Sequence, residues 1–243
     1  AGTAGAAMEQ AVGVFMLHPE TLAESAEAGY VNPLAGYVVG RAGVLGQATG
    51  GTVSAVFAVF EPTAVGMLWE QGLTVRGAEE ASARYWDQCA GFARRHLDGV
   101  AGLGRIAELG ERIIATAPAA GLPLYAGWRR MPLAEDAPAR ALQVMFVLRE
   151  LRAGVHFNVL TISGITAVEA HMLNKGSEYT AMFGWPGPYA DGADKADRYN
   201  EVEEITNRRM AELYTHALDA DEAGELARLS VDALASLKAN VAG

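Results

Sequence analysis

Four residues on one stretch of the chain, Arg149, Glu150, Arg152 and His156, are of the types from which proton-transfer chemistry is built. An imidazole moves protons near neutral pH. Guanidiniums hold a carboxylate, an enolate or a 1,3-dicarbonyl anion as charge develops. Glu150 can orient or pair with one of those cations. At about 100° per residue, Arg149, Arg152 and His156 fall within about 60° of one another, continuing a stripe begun by Leu142 and Met145. Val144, Val147, Leu148, Leu151 and Val155 form the other apolar stripe, and the polar edge shrinks to Gln143 and Glu150. A helix apolar nearly all round is a buried helix. Two readings stay open for charges entering an interior: an inward salt-bridge cluster, or a cationic, proton-handling corner of a small-molecule pocket.

That helix has to be positioned by others. Asp136 caps it, with Pro138 in its first turn. It runs through Ile162, pauses at Gly164 and resumes from Ile165 to Leu173. Before it, the patterns predict helices over Met8–Leu17, Glu20–Ala28, Pro33–Leu45, Pro62–Gln71, Ala78–Leu97 and Gly104–Ala117. Val53–Phe60 is β-branched enough for a strand but is read as helix from its context. Pro118–Leu133 reads as a loop with a short turn of helix. Phe183–Tyr189 is a Gly/Pro/aromatic loop of lid-like composition. Arg198–Leu218 and Asp221–Ala239 close the chain as two amphipathic helices. Strands never alternate with helices, so the expected fold is all-α: one domain over 1–243, with a subdivision near 118 and a C-terminal helical pair at 198–239.

Two features of the Pro33–Leu45 helix stand out. Gly36, Gly40, Gly43 and Gly46 recur at three- and four-residue steps, which weakens a helix unless a backbone or a ligand approaches closely. Arg41 lies in the middle of this otherwise uncharged stretch. With Tyr37, Phe60, Trp128 and Trp185 it supplies the candidate substrate-binding set.

The chain has 243 residues, 51% of them hydrophobic, and a net charge of −10. Such a chain is a poor general binder of nucleic acid or anionic membrane. The longest uncharged run, Ala42 to Phe60, holds too many polar residues and glycines to span a bilayer. No basic n-region marks a secretory signal. The single cysteine, Cys89, permits no intrachain disulfide and fits a cytoplasmic location; its helical setting beside Trp86 and Phe92 reads as inert. No nucleotide loop, nucleophile elbow or paired-histidine metal site occurs, so neither metal nor cofactor is expected.

Two segments carry a resemblance. Gly36-Tyr37…Gly40-Arg41-Ala42…Leu45-Gly46 resembles the Gly-Tyr…Gly-Arg-Ala…Leu-Gly segment of an actinobacterial all-helical family, labelled helix-turn-helix-like, with some members in natural-product biosynthesis clusters. Pro123-Leu124…Leu148-Arg149-Glu150-Leu151-Arg152…Gly154…His156 is similar to the same family's Pro-Leu…Leu-Arg-Glu-His-Arg…Gly-His pattern. Here Leu151 stands in place of a histidine. The likeness covers roughly Val12 to Leu173 and departs after Phe183.

The functional expectation is a cofactor-independent tailoring enzyme of natural-product biosynthesis, carrying out dehydration with conjugate-addition cyclisation, or hydrolysis, on a small-molecule substrate. His156, Arg149, Arg152 and Glu150 are its catalytic candidates. A ligand-binding, helix-turn-helix-like transcriptional regulator is the alternative, and a scaffold with a purely architectural cationic cluster is the third. A homodimer is expected, and the two C-terminal helices either cover the core or form its interface.

Overall fold

The computed structural model describes residues 1–242. Thirteen α-helices make up the described chain, and no strand occurs among these residues. They are α1 (Gly2–Leu17), α2 (Pro19–Glu27), α3 (Pro33–Ala42), α4 (Gly50–Phe57), α5 (Pro62–Val75), α6 (Ala78–His96) and α7 (Leu103–Thr116). After these come α8 (Pro123–Trp128), α9 (Ala137–Ser163), α10 (Ala167–Asn174), α11 (Ser177–Met182), α12 (Ala196–Ala217) and α13 (Ala220–Val241). The all-α expectation holds, and short 3₁₀ turns extend α3 at Gly43–Leu45 and precede α12 at Ala193–Lys195.

The helix ends follow local chemistry. Asp136 Oδ1 accepts from the Ala139 amide and so caps α9, whose far end stops at Gly164 with φ 75°. Pro19, Pro33, Pro62 and Pro123 occupy first turns, where a missing N–H is harmless. Thr166 with Glu169, and Asp219 with Glu222, form capping boxes that start α10 and α13.

At the centre lies α9, packed on α1, α6, α7, α8 and α12. Its N-terminal half is sealed: Leu142, Val144, Met145 and Phe146 are all 0% exposed. Gln143 and Glu150, read from the sequence as a polar edge, are 2% and 1% exposed. The helix therefore has no wet edge there. Gln143 spends its amide on the Trp86 carbonyl and accepts from Ala134 N, while Glu150 is spent on arginines.

Other boundaries differ from the sequence reading. The segment read as helix over Val53–Phe60 is helical from Gly50 but ends at Phe57, because Ala58 turns to φ 52°, ψ −59°. Within the expected 118–133 loop, α8 is a bounded helix whose Trp128 is fully buried. A further helix, α11, precedes the Phe183–Tyr189 loop. The basic side chains closing α6 each have an acidic partner, Arg94 with Asp136, Arg95 with Glu24 and His96 with Glu20.

Close crossings explain the spaced glycines of α3 and the turn after it except the last, Gly46, which has nothing within 4 Å and takes a φ of 68°. A Cβ on Gly40 would lie 2.9 Å from the Tyr85 ring, and one on Gly43 would lie 2.1 Å from the Ala78 carbonyl oxygen of α6. On the other flank, a Cβ on Gly72 of α5 would meet Val39 at 2.7 Å. Gly43→Ala is therefore expected to destabilise by about 1–3 kcal/mol through overpacking against backbone. Gly13→Ala, with nothing within 4 Å of its added methyl, should instead stabilise α1 by about 0.5–1 kcal/mol. Urea unfolding of the two variants tests both signs, and equal effects would refute the crossing argument.

Candidate functional site

Arg41 of α3 and Glu150 of α9 meet in the middle of the core as a bidentate pair. Arg41 Nε donates to Glu150 Oε1 at 2.8 Å, and its Nη2 donates to Oε2 at 2.9 Å. The third guanidinium nitrogen, Nη1, donates to Tyr37 Oη at 3.0 Å. Arg41 is 0% exposed, its guanidinium lies over the Phe57 ring at 4.6 Å, and its carbonyl accepts from Trp128 Nε1 at 3.0 Å. Arg149 Nη1 adds a second cation to Glu150 Oε1 at 2.6 Å. Burial pushes the Glu150 carboxyl upward, but the charges and hydrogen bonds of Arg41 and Arg149 outweigh it and hold the group below its usual range. The same carboxylate, with Tyr37, keeps the Arg41 guanidinium protonated against its own desolvation. The cluster carries two positive charges and one negative.

Arg152 and His156 belong to a separate group within the next two turns of α9. Arg152 donates to Glu9 Oε2 at 3.2 Å and to Glu203 Oε2 at 3.0 Å. His156 Nδ1 lies 3.4 Å from Thr206 Oγ1 and 3.6 Å from Glu203 Oε1. Thr206 gives its only hydroxyl hydrogen to the Val202 carbonyl, so its oxygen can only accept from the imidazole. The proton therefore sits on Nδ1, and Nε2 carries the free lone pair. Burial holds the His156 pKa below its ordinary value, with Glu203 opposing and Arg152 assisting. The sequence placed Arg149, Arg152 and His156 on one stripe, but the fold assigns them to two clusters with different partners.

Space adjoins the first cluster. An inner recess of about 220 Å³ lies between α4, the start of α8 and α9; Leu122, Tyr125, Gly154, Phe157 and Glu150 are among its walls. An outer groove of about 680 Å³ runs along α4 and α5, with Phe60, Trp185, Ser54 and Glu70 on its sides. Ala55, Ala58 and Thr161 line both. Of the candidate residues, Glu150 touches the inner recess and Phe60 and Trp185 the outer groove. Arg41, Trp128 and His156 line neither. Trp128 is a core residue that fixes the Arg41 backbone.

The junction between recess and groove is strained. Ala58 forms a γ-turn of positive φ, a conformation that non-glycine residues adopt at a cost of about 1–3 kcal/mol. The next carbonyl, Val59 O, accepts from His171 Nε2 at 2.8 Å and from Trp185 Nε1 at 2.9 Å. Glu61 N donates to Phe183 O at 2.9 Å. The segment carrying α10, α11 and the aromatic loop is thereby tied over the corner between α4 and α5. Sequence reasoning missed Glu9, Glu203, Thr206 and Ala58. Glu203 lies in an ordinary charged helix face, Glu9 is the one charged residue of α1 with nothing nearby in the sequence to pair it, and no local pattern marks a helix-ending alanine for positive φ.

Removing one member of the sealed pair leaves a buried charge unpaired. Glu150→Leu or Arg41→Met alone should cost about 3–5 kcal/mol, and the double variant less than either. Denaturant unfolding of the three chains would show it, and additive losses would refute the pairing argument. The pH dependence has two signs to check. The depressed Glu150 gives stability that is present above its unfolded value and lost as pH falls through its lower folded value. His156 and His171 are buried with lowered pKa values, so the unfolded chain takes up protons first, and stability drops as pH falls below about 6.5. His156→Gln should flatten part of the slope between about pH 7 and 5, read from thermal unfolding across that range.

Among the described residues no helix is long and apolar enough to cross a membrane, and no group of three or more His, Cys, Asp or Glu could hold a metal ion. No curated protein and no solved structure matches the chain. One family model does, over residues 1–242, and by that match the chain belongs to a helix-turn-helix family.

Proposed function

We propose that the chain binds a small, largely apolar organic molecule in the inner recess, entering along the outer groove. The observation that carries this reading is the placement of Glu150. Glu150, whose carboxylate is held by two arginines, is among the lining residues of an otherwise mostly apolar recess. Apolar walls with a few fixed polar groups are what small-molecule sites share. Glu150 Oε2 accepts one hydrogen bond, from Arg41, and has a lone pair left for a ligand hydroxyl or enol. Because its proton affinity is lowered, Glu150 serves as an anchor and not as a base. The strained Ala58 at the junction supports the same location, since strain of that kind gathers at ligand sites.

Of the regulator alternative, the ligand-binding half is what the geometry supports. The chain is acidic, and the arginines on α6, α7 and α9 are largely engaged by Glu or Asp. A recognition surface needs clustered free cations. No salt-dependent gel shift is expected with the DNA upstream of its own gene, and a specific shift would restore the regulator.

A second reading is tailoring by cofactor-independent acid/base chemistry, of the kind natural-product biosynthesis uses. One observation favours it: His156 has its proton fixed on Nδ1 by Thr206 and Glu203, leaving Nε2 as a positioned base. Its distance from the recess lining is what that reading has to overcome. The single buried thiol fits a reducing cytoplasm in either case.

Ala55, exposed and lining both spaces, gives a clean test. Ala55→Trp should leave the circular dichroism spectrum unchanged and weaken binding of thermal-shift hits from a small-molecule library at least tenfold. Hits that bind the variant equally well would place the site elsewhere. If turnover of any hit is found, His156→Ala should abolish it with the fold retained, and intact turnover would reject the second reading.

A further inference from the structure

Tyr85 of α6 carries a hydroxyl that has no partner in the fold. The residue is 2% exposed. A buried hydroxyl left unpaired costs about 1–3 kcal/mol, and native cores retain few such groups without a reason. Its position is fixed by packing. The ring lies against Gly40, where a Cβ would clash, and its centroid is 6.4 Å from Tyr37 and 6.1 Å from Phe146. Burial holds the Tyr85 phenol above its ordinary range, and the charges of Arg41 and Arg149 oppose that rise.

Its neighbours also hold unspent donors. Tyr37 Oη accepts from Arg41, and its own hydrogen has no acceptor among the described residues. Arg149 donates once, from Nη1 to Glu150, so Nε and Nη2 lack a protein partner among the described residues. The Arg149 side chain is 19% exposed, which opens a way in. Glu9, the acidic group on α1, is engaged by Arg152. Two arginines against one glutamate leave an excess positive charge here. The place thus offers O–H and N–H donors and a net positive charge.

We propose that Tyr85, Tyr37 and Arg149 form a site for the oxyanion of a small monoanion, a carboxylate or an enolate, entering beside Arg149. Hydroxyl and guanidinium donors held together in this way bind an anion through charge-assisted hydrogen bonds. None of the three residues lines the recess or the groove, so this proposal stands apart from the recess proposal.

Isothermal titration of the full chain with formate, acetate and benzoate, each beside its neutral amide, tests the assignment. At least one carboxylate should bind, its amide at least tenfold more weakly. Tyr85→Phe and Arg149→Gln should each reduce carboxylate affinity at least tenfold, and the Tyr85 ring Cζ resonance of the wild type should move on saturation. Ala55→Trp should leave the carboxylate affinity unchanged, so failure of the recess reading and of this one are seen separately. Absence of binding by all three anions, or equal binding by Tyr85→Phe, overturns the proposal. So does a Tyr85→Phe chain that melts higher with unchanged binding, since the hydroxyl is then only an unrelieved cost.

Discussion

The bidentate contact between Arg41 and Glu150 is the constraint around which this fold closes. Neither group can be left alone inside a dry core, because an unpaired buried charge costs several kcal/mol. The pair joins residues 109 positions apart, so α3 and α9 must arrive in one register before either charge is satisfied. Nothing in such a pair needs to add net stability over two apolar side chains of similar volume. Its consequence is selection: packings that shift α3 by a turn strand a guanidinium in hydrocarbon. Tyr37 and the Trp128 indole, which holds the Arg41 carbonyl, extend the same constraint to α8.

Close approach is the condition that lets this register form. Gly40 and Gly43 remove the Cβ atoms that would hold α3 away from Tyr85 and Ala78, and Gly72 does the same for Val39 at the α5 crossing. Much of this was legible beforehand. An arginine centred in a glycine-spaced apolar helix, and a charged run on a helix apolar nearly all round, both signal interior polar contacts. The partners were not legible. Helical periodicity gives the angle of Glu150 relative to its neighbours on α9, but not which element lies at that angle. Glu150 therefore reads as a wet edge from the pattern and is 1% exposed in the fold. The stripe of Arg149, Arg152 and His156 fails for a related reason. A shared face on one helix is divided when α12 packs over part of it, and Glu203 and Thr206 claim only the later residues.

The helix boundaries show the same division between local and tertiary causes. Caps and prolines fixed the starts of α2, α3, α5 and α9, since they act within a few residues. The end of α4 at Ala58 is set from outside instead. Val59 O is the meeting point of two side-chain donors from a segment more than a hundred residues away, and these hydrogen bonds hold the carbonyl where continued helix would not place it. No sequence window of ordinary length contains both halves of that interaction.

Charge is distributed along α9 in a way that bears on what the protein can bind. The group around Glu150 has two arginines and one carboxylate. The group around Arg152 has one arginine and two carboxylates, Glu9 and Glu203, beside an imidazole that burial keeps neutral near pH 7. Adjacent turns of one helix therefore carry net charges of opposite sign, each screened from water to a different degree. A mobile anion entering this part of the core would be drawn to the first group and repelled by the second, while a cation would meet the reverse. Because the inner recess touches Glu150 and none of the residues of the second group, any charge a ligand carries in that recess is weighed against the positive cluster. That asymmetry weighs against a cationic ligand in the proposed recess.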